Sequence, residues 1–411
     1  MKHTIALTAF GTIVSVVQAD DIVQKCAAYP FPDFACIQRY ASALPLDFLR
    51  TVNLTLGYQE TFVSTRVSND TSFASAADAT FLIWDEKLSG EILGENPSYE
   101  FMFAVSSAGH EAPVYVPDTN QLFFSQLERG WLPQLVVDLN NNPPTLSEKT
   151  ASPPLYAAAG ARYRDGLIYV AAGGGNASLD GQSFHPGIYT LNPKTMESKT
   201  VVNNYYGYYF NTADDLDIDA EGRIWFTDNL FSRNVQFNTE APQLGAASYR
   251  YDPATGAVSI IDDTLEAPNG IAFSPDRKTL YMTDTGAGVP MIDPRVSWQQ
   301  APSLTWNNTN KRAVYAFDVS DDGTYLKNRR PVFLAMDFVP DGLKVASNGY
   351  LLTGSGHGVD VLDSTGRPLL RVQTNFTAVN CEFVGENRDE LWIVGHGGVA
   401  RVKWNLTGPV F

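Results

Sequence analysis

The amino-acid sequence predicts an all-β protein, a six-bladed β-propeller whose ring is closed by an N-terminal strand. Six short apolar phrases recur along the chain, with their first residues 46, 56, 56, 70 and 41 positions apart. Each is typical of a buried strand, and five of them follow a polar-to-apolar phrase that ends in a turn. Such a unit, repeated about six times without a sustained helical period, indicates a propeller.

The repeats can be followed in order through the six apolar phrases. They begin at Leu122, Ile168, Ile224, Leu280, Tyr350 and Leu391. The copy over residues 156–166 keeps its turn but has alanines where the others are polar. No linker-like stretch divides the repeats, which argues against a row of separate small β-domains. We expect residues 98–107 to supply the outer strand of the last blade, with residues 81–88 as the alternative.

The N-terminus predicts a secreted protein. Lys2 precedes an apolar run over residues 5–17, and Val17-Gln18-Ala19 fits the small-x-small pattern of signal-peptide cleavage. The run is too short to span a bilayer, which argues against a membrane anchor. The sequence therefore predicts a signal peptide over residues 1–19, an N-terminal extension over 20–94 and the propeller over 95–411.

Cysteines and sequons agree with an extracellular location. Cys26 and Cys36 lie close together after the predicted cleavage site, and an oxidising compartment lets them form a disulfide. Cys381 lies in an apolar phrase and is predicted to be a buried thiol. Six N-x-S/T sequons are candidate glycosylation sites: Asn53, Asn69, Asn176, Asn307, Asn375 and Asn405.

The charge balance limits the partners of the protein. The chain has 45 acidic and 29 basic side chains, a formal net charge of −16. A strongly acidic surface repels phosphate backbones and anionic lipid, so neither nucleic acid nor a membrane is expected as a partner. A small-molecule ligand is compatible with this charge, and the sequence leaves a homodimer open.

Polar residues at matched places in the repeat indicate a metal site. Five of them stand 9 to 11 residues before an apolar phrase: Glu111, Asp214, Asn269, Asp341 and Asn380. Because the first strand of each propeller blade lines the central channel, these side chains are expected to meet at one end of it. Clustered carboxylates repel one another unless a cation compensates, and oxygen ligands favour a hard ion such as Ca²⁺. The alternative for each residue alone is a turn cap.

Three segments resemble a known protein family. Glu111-Ala-Pro-Val-Tyr is similar to the family phrase E-G-P-V-W, residues 268–276 to P-N-G-L-A-F-S-P-D, and residues 340–342 to P-D-G. The chain thus resembles the SMP-30/gluconolactonase/LRE-like family of six-bladed propellers, and within it the secreted fungal lactonohydrolases. The resemblance runs from about His110 to Trp404.

The resemblance implies a calcium-dependent lactonase, a carboxylic ester hydrolase. Glu111, Asn269 and Asp341 are expected to bind the metal, and Asp341 is also the expected catalytic base. Zn²⁺, Mg²⁺ or Mn²⁺ are alternatives to Ca²⁺. The expected reaction is hydrolysis of a sugar-type or related small lactone by metal-activated water. The alternatives are a non-catalytic ligand-binding propeller with a structural calcium ion, and a different propeller esterase.

One aspartate, one asparagine and one histidine are further candidates for contact with substrate. Asp214 stands where the family's substrate-binding Asn is usual, so it is predicted to contact substrate, to act as a base or to add a metal ligand. Asn380 is predicted to bind substrate hydroxyls. His110 is a candidate contact because it adjoins Glu111.

An aromatic run and two further histidines complete the candidate site. Tyr209 belongs to the run over residues 205–210, which is expected either to wall the pocket or to pack on a blade as an ordinary loop. His357 is a candidate catalytic proton shuttle. His396 is expected to be a surface turn residue.

Overall fold

The computed structural model describes residues 21–44, 50, 61–65, 72–289, 295 and 306–410. The predicted signal peptide and the sequons at Asn53 and Asn69 lie outside the described residues. The fold is an all-β propeller, as predicted, with five four-stranded antiparallel sheets, one seven-stranded sheet and a two-stranded hairpin among the described residues.

The strands follow one another along the chain in groups that form the sheets. The N-terminal part contains β1 (Val23–Lys25), β2 (Phe34–Ile37), β3 (Phe81–Ile83) and β4 (Ser98–Ala104). The next two sheets contain β5 (Gly109–Val116), β6 (Gln121–Leu127), β7 (Gln134–Asp138), β8 (Thr145–Lys149), then β9 (Ala158–Arg164), β10 (Leu167–Ala172), β11 (Gly187–Leu191) and β12 (Ser198–Val202). The hairpin consists of β13 (Asn204–Tyr205) and β14 (Tyr208–Tyr209).

The second half of the chain continues the same pattern. It contains β15 (Ala213–Ile218), β16 (Ile224–Asp228), β17 (Ala247–Asp252), β18 (Ala257–Asp262), then β19 (Pro268–Phe273), β20 (Thr279–Asp284), β21 (Ala313–Val319) and β22 (Leu326–Leu334). The last two groups are β23 (Pro340–Val345), β24 (Leu351–Ser355), β25 (Gly358–Leu362), β26 (Pro368–Gln373), then β27 (Thr377–Val384), β28 (Glu390–His396) and β29 (Gly398–Lys403).

Helices are few and short among the described residues. The α-helices are α1 (Glu86–Leu93) and α2 (Phe231–Asn234), and the 3-10 helices are Gln38–Ala41, Phe62–Ser64 and Ser72–Ala77. None of the helices in the described ranges is long and apolar enough to cross a membrane.

The N-terminal strands join two different sheets. β4 pairs antiparallel with β29, with Ser98 opposite Lys403, so residues 98–104 form the outer strand of the last sheet as expected for that segment. The alternative segment pairs elsewhere, because β3 lies against β26 and carries β2 and β1 beyond it. The sheet of β23–β26 is thereby extended to seven strands.

The apolar phrases form the core between neighbouring sheets. Trp225 and Trp392, at the centres of two phrases, are fully buried. Phe124 of the sheet β5–β8 and Trp392 of the sheet that contains β27–β29 belong to one hydrophobic cluster, so these two sheets pack against each other. Burial of a large apolar side chain stabilises a fold by about 1.5–3 kcal/mol, so these contacts hold adjacent sheets together.

The first strands of the sheets contact one another around a central channel. β5, β9, β15, β19, β23 and β27 are neighbours in this order, and β27 returns to β5. Close approach requires glycine directly after two of the predicted site residues. A Cβ atom on Gly270 would lie 2.6 Å from the backbone oxygen of Asp341, and one on Gly342 would collide with the side chain of Asn380.

Both cysteine predictions agree with the structure. Cys26 and Cys36 form a disulfide with their Cα atoms 5.3 Å apart. Cys381 is a buried free thiol on β27, and burial raises its pKa to about 12.

Candidate active site

A cavity of about 380 Å³ lies at one end of the central channel. Glu111 of β5, Asp214 of β15, Asn269 of β19 and Asp341 of β23 all line it. Four side chains from four first strands therefore meet as the matched spacing predicted. The fifth, Asn380 of β27, is buried beside them and donates from Nδ2 to Oε2 of Glu111 over 2.9 Å.

A local distortion of each strand turns these side chains toward the channel. The pairing register of the first strand with the second shifts between Glu111 and Val114, between Pro268 and Ile271, and between Pro340 and Leu343. β15 and β27 carry the same kind of shift next to their site residues. A bulge bends a strand and re-aims its side chains, which breaks simple alternation at the point where the site is built.

Neighbouring groups hold the site residues in place. The Asn229 amide donates to the carboxylate of Asp214, and also to the backbone oxygen of Pro268 over 3.0 Å. The Thr227 hydroxyl donates to the backbone oxygen of Asn269 over 2.6 Å. The Thr283 hydroxyl donates to the backbone oxygen of Asp341 over 2.8 Å. Each threonine therefore ties one sheet to a site residue of the next sheet.

The carboxylates of the site are buried together without a basic partner. Burial raises the pKa of Glu111 and of Asp214 well above the usual range of a carboxyl, and the charge of Asp341 adds to both shifts. Burial likewise raises the pKa of Asp341 to about 7. In the described part of the chain, no Lys or Arg forms an ion pair with these three groups. Such a cluster favours a bound cation, because only an opposite charge offsets both repulsion and lost hydration.

The donor set fits a hard divalent ion. Glu111, Asp341, Asp214 and Asn269 offer oxygen atoms only, which is the chemistry that Ca²⁺ or Mg²⁺ prefers. The three carboxylates do not all lie within 4.8 Å of one another. Oxygen ligands on opposite sides of one Ca²⁺ stand about 5 Å apart, so a ring of ligands does not require that spacing.

One tighter group of metal-ligand residue types occurs elsewhere in the described ranges. It consists of Cys26, Cys36 and Glu86. Its two cysteines form the disulfide, and the Glu86 carboxylate accepts from the backbone N–H of Ala27 and of Ala28. This group therefore serves the N-terminal extension and is not a metal centre.

Two predicted contacts lie away from the cavity. Tyr209 belongs to the β13–β14 hairpin, where its ring stacks on His185 with centroids 4.2 Å apart. The hairpin forms a sheet of its own, so the aromatic run does not wall the cavity. His357 is exposed in the turn between β24 and β25 and does not line the cavity either. Its candidate role as a proton shuttle is therefore not supported.

His110 lies behind the site and does not line the cavity. It is fully buried, and its Nδ1 lies 2.8 Å from the backbone oxygen of Gly395. Burial lowers its pKa, so the neutral imidazole is favoured. Successive side chains of a strand point to opposite faces, which separates His110 from Glu111.

Sequence reasoning missed two features of the cavity. His396, expected as a surface turn residue, lines it, with Nδ1 3.0 Å from the backbone oxygen of Ser107. The signal was its place at the end of β28, because antiparallel pairing puts that end beside the start of β27. The second feature is an apolar wall that includes Phe231, Phe237 and Phe338. No repeat pattern marks these three residues.

A second layer of charged residues lies further along the same first strands. Arg162 of β9 pairs with Asp217 of β15 over 3.4 Å, and Lys344 of β23 pairs with Glu382 of β27 over 3.2 Å. These residues line a separate cavity of about 910 Å³.

Comparison with known proteins places the chain in a family. The SMP-30/Gluconolactonase/LRE-like region matches residues 110–292 and 297–396, which include all five predicted rim residues. The chain belongs to this family. The match begins at His110, so the N-terminal extension lies outside the family region.

Two proteins from Aspergillus oryzae (strain ATCC 42149 / RIB 40) are similar over nearly the whole chain. Lactonohydrolase oryH is 52% identical over 440 residues, covering 94% of this chain and 94% of that protein. Lactonohydrolase oryL is 53% identical over 388 residues, covering 94% of this chain and 88% of that protein. The similarity therefore includes the N-terminal extension as well as the family region.

Solved structures of other proteins share the fold. A gluconolactonase from Xanthomonas campestris superposes with a TM-score of 0.62 at 24% identity, covering 79% of this chain and 93% of that one. Regucalcin from Agrobacterium tumefaciens, described as a calcium-binding protein, superposes with a TM-score of 0.53 at 14% identity, covering 76% of this chain and 95% of that one.

Proposed function

We propose that this protein is a secreted lactone hydrolase that uses a divalent cation, with Ca²⁺ the preferred ion. The observation that carries the proposal is the convergence of Glu111, Asp214, Asn269 and Asp341 on one cavity, with no Lys or Arg ion-paired to these carboxylates among the described residues. Family membership and the names of the two lactonohydrolases support the same reaction class. The calcium binding of regucalcin supports the choice of ion.

Glu111, Asn269 and Asp341 are the residues that would hold the cation. A cation at this position supplies positive charge that stabilises the carbonyl oxygen of an ester as negative charge develops on it. Asn380 keeps Glu111 in place through its amide, and Asn229 does the same for Asp214. Asp214 faces the cavity beside Asp341, where it orients substrate or completes the ligand set.

Asp341 is the proposed general base. The oxygen of a water molecule bonds to the lactone carbonyl carbon, and the Asp341 carboxylate accepts the proton that this water gives up. The ring C–O bond then breaks, and the same proton passes to the departing ring oxygen. The product is the open hydroxy acid, so water is consumed and no other co-reactant is required.

The proposal that the protein is secreted is based on the segments at the start of the chain. A signal peptide cut after Ala19 would leave the Cys26–Cys36 disulfide near the mature N-terminus. Among the described sequons, Asn307, Asn375 and Asn405 are exposed and are the preferred glycosylation sites. Asn176 is half-buried, and its side-chain oxygen accepts from Thr239.

The propeller is proposed to have six blades. The strands β23–β26 would form one blade, to which β1–β3 of the extension are added at the outer edge. The pairing of β4 with β29 would join the two ends of the ring. This arrangement is supported by the contacts that run from β5 through the other first strands to β27 and back to β5.

The proposal is tested by pH-stat hydrolysis of a panel of aldono-, pantoyl-, alkyl- and aromatic lactones. Calcium-loaded protein is expected to release acid, and chelator is expected to abolish the release. Asp341→Asn is expected to lower the rate by about 10²–10⁴-fold, the usual contribution of a positioned base. Asp78→Asn, at an exposed position away from the cavity, is the control and keeps full activity. No acid release from any lactone by calcium-loaded protein would contradict the proposal.

A further inference from the structure

Much of the lining of the cavity is apolar. The described lining residues include three phenylalanines and four valines: Phe231, Phe237, Phe338, Val235, Val289, Val339 and Val379. Among the lining residues that the structure describes, Thr285 is the one hydroxyl-bearing side chain and no Tyr or Trp occurs. The polar groups are the site residues themselves and Glu128, Arg129 and His396.

The phenylalanine and valine side chains of this wall offer no hydrogen bonds to the hydroxyl groups of a sugar lactone. Burial of a hydroxyl without a hydrogen bond costs about 1–3 kcal/mol, and a polyhydroxylated ring carries several such groups. An apolar substituent gains free energy from the same contacts, at roughly 0.8 kcal/mol for each buried methylene. A cavity of about 380 Å³ is within the range of sites that enclose drug-sized ligands. The wall therefore favours a lactone with a bulky apolar group.

Phe338 of this wall is held in an unusual backbone conformation. Its φ is 46°, in the left-handed region that a bulky residue rarely adopts. Its ring stacks on Trp306 with centroids 5.8 Å apart, and a Cβ atom on Gly288 would lie 3.7 Å from the ring. Strain of this kind costs about 1–3 kcal/mol and persists where surrounding contacts determine it.

The neighbour of Phe338, Asp337, is buried and bound from several sides. One carboxylate oxygen of Asp337 accepts from Arg50 over 2.8 Å and from the backbone N–H of Phe62 over 2.6 Å. The other oxygen pairs with Arg371 over 2.9 Å. Arg50 and Phe62 belong to the N-terminal extension, which lies outside the family region. The extension therefore contacts the residue directly before Phe338.

We propose that the substrate is a lactone with a bulky alkyl or aryl substituent, not a polyhydroxylated sugar lactone, and that the extension selects it by positioning Phe338. This inference rests on the proposed lactone hydrolysis and names the substrate class of the same site. It replaces the sugar-type lactone that the family resemblance implied, because the described lining of the cavity is mostly apolar.

The test compares kcat/KM for δ-valerolactone, its δ-butyl and δ-hexyl derivatives and glucono-1,5-lactone, using calcium-loaded full-length protein. We expect kcat/KM to rise about threefold to fourfold for each buried methylene until the cavity is filled. Glucono-1,5-lactone is expected to fall at least about tenfold below the δ-hexyl lactone. Equal or better hydrolysis of the gluconolactone would overturn the inference and leave the proposed function standing.

Variants at Phe338 test the role of the wall. Phe338→Asn tolerates the left-handed backbone and removes the ring, so it is expected to lower kcat/KM about tenfold more for the δ-hexyl lactone than for δ-valerolactone. Phe338→Leu keeps an apolar side chain and is expected to recover most of the preference. Tyr325→Ala, an exposed aromatic residue away from the cavity, is the control and leaves both rates unchanged. An equal loss for both lactones would contradict a role in selection.

A binding measurement separates the substrate class from turnover. Titration calorimetry of calcium-loaded protein is expected to give tighter binding of 5-hydroxydecanoate, the product of a substituted lactone, than of gluconate. Tight binding of the former without hydrolysis of any lactone would support the cavity assignment and reject the proposed function. Preferential binding of gluconate would overturn the inference whatever the protein hydrolyses.

Discussion

Two layers of polar side chains lie along the same first strands, and charge is balanced differently in each. In the layer at the cavity, the charge of Asp341 raises the pKa of both Glu111 and Asp214, and none of the three has a basic partner among the described residues. In the layer two or three residues further along, Lys344 and Glu382 pair over 3.2 Å. Arg162 and Asp217 form the second pair of that layer.

This difference in ion pairing indicates which of the two layers is suited to bind a ligand. Both layers bury charge, which is unfavourable unless an opposite charge is near. The second layer contains its own counter-charges, so it is complete without a bound ion. The layer at the cavity has no such counter-charges among the described residues, and a cation from outside the chain, as proposed above, would supply them. Asp215 lies between them, where Arg162 and Lys344 moderate the rise in its pKa that burial causes.

The largest effect is expected from breaking a pair in the second layer. Lys344→Met leaves the Glu382 carboxylate buried without its partner, which is expected to destabilise the fold by about 3–5 kcal/mol. For a chain of this length that corresponds to a fall of about 4–6 °C in the thermal unfolding midpoint. The measurement is calorimetric unfolding at neutral pH.

Two controls sharpen the prediction for Lys344. The double variant Lys344→Met, Glu382→Leu removes both charges and is expected to recover most of the loss. Arg330→Met breaks an exposed pair with Asp318 and is expected to change stability by less than about 1 kcal/mol. A Lys344→Met variant no less stable than Arg330→Met would show that the second layer does not depend on pairing.

A smaller effect of the opposite sign is expected when a cation is added to the layer at the cavity. Ca²⁺ at one hundred times its Kd is expected to stabilise the native protein by about 2.7 kcal/mol, or about 3 °C in the thermal midpoint. Glu111→Gln is expected to lose this response, and its metal-free form is expected to be at least as stable as the metal-free wild type because one repelling charge is gone.

Glu382→Gln is the matched control for the response to Ca²⁺. It is expected to lower the baseline midpoint, because it weakens the pair with Lys344, and to keep the rise on adding Ca²⁺. Loss of the Ca²⁺ response in Glu382→Gln but not in Glu111→Gln would contradict this assignment, because it would place the bound cation in the second layer and not at the cavity.

The smallest effect is expected from removal of the Thr283 hydroxyl, which donates a hydrogen bond to Asp341 of the next sheet. Thr283→Val removes the hydrogen bond to the Asp341 backbone oxygen and is expected to cost about 1–2 kcal/mol and to weaken the response to Ca²⁺. Thr283→Ser is expected to restore both. Thr353 is the control, since it is equally buried on β24 but donates to its own neighbour Gly354. A weaker Ca²⁺ response in Thr353→Val as well would count against a specific role for Thr283.

Much of the fold and the inner part of the site could be predicted from local pattern. The apolar phrases define the strands because a buried strand needs consecutive aromatic and branched residues, and Trp225 and Trp392 are buried accordingly. The matched spacing of Glu111, Asn269 and Asp341 predicted their convergence, since the first strands of a propeller share one channel. Each copy of the repeat that carries one of these residues therefore displays its own buried strand and its own site residue in the sequence.

The wall of the cavity was decided by the tertiary structure. Tyr209 lies away from it on a hairpin, His396 reaches it through the pairing of β28 with β27, and Phe338 follows the buried Asp337 in the chain. Asp337 in turn is bound by Arg50, 287 positions away along the chain. Strand identity depends on side chains a few residues apart, which the sequence displays directly. The course of a loop depends on partners that only the folded chain brings together, so the residues that select a substrate cannot be predicted from spacing alone.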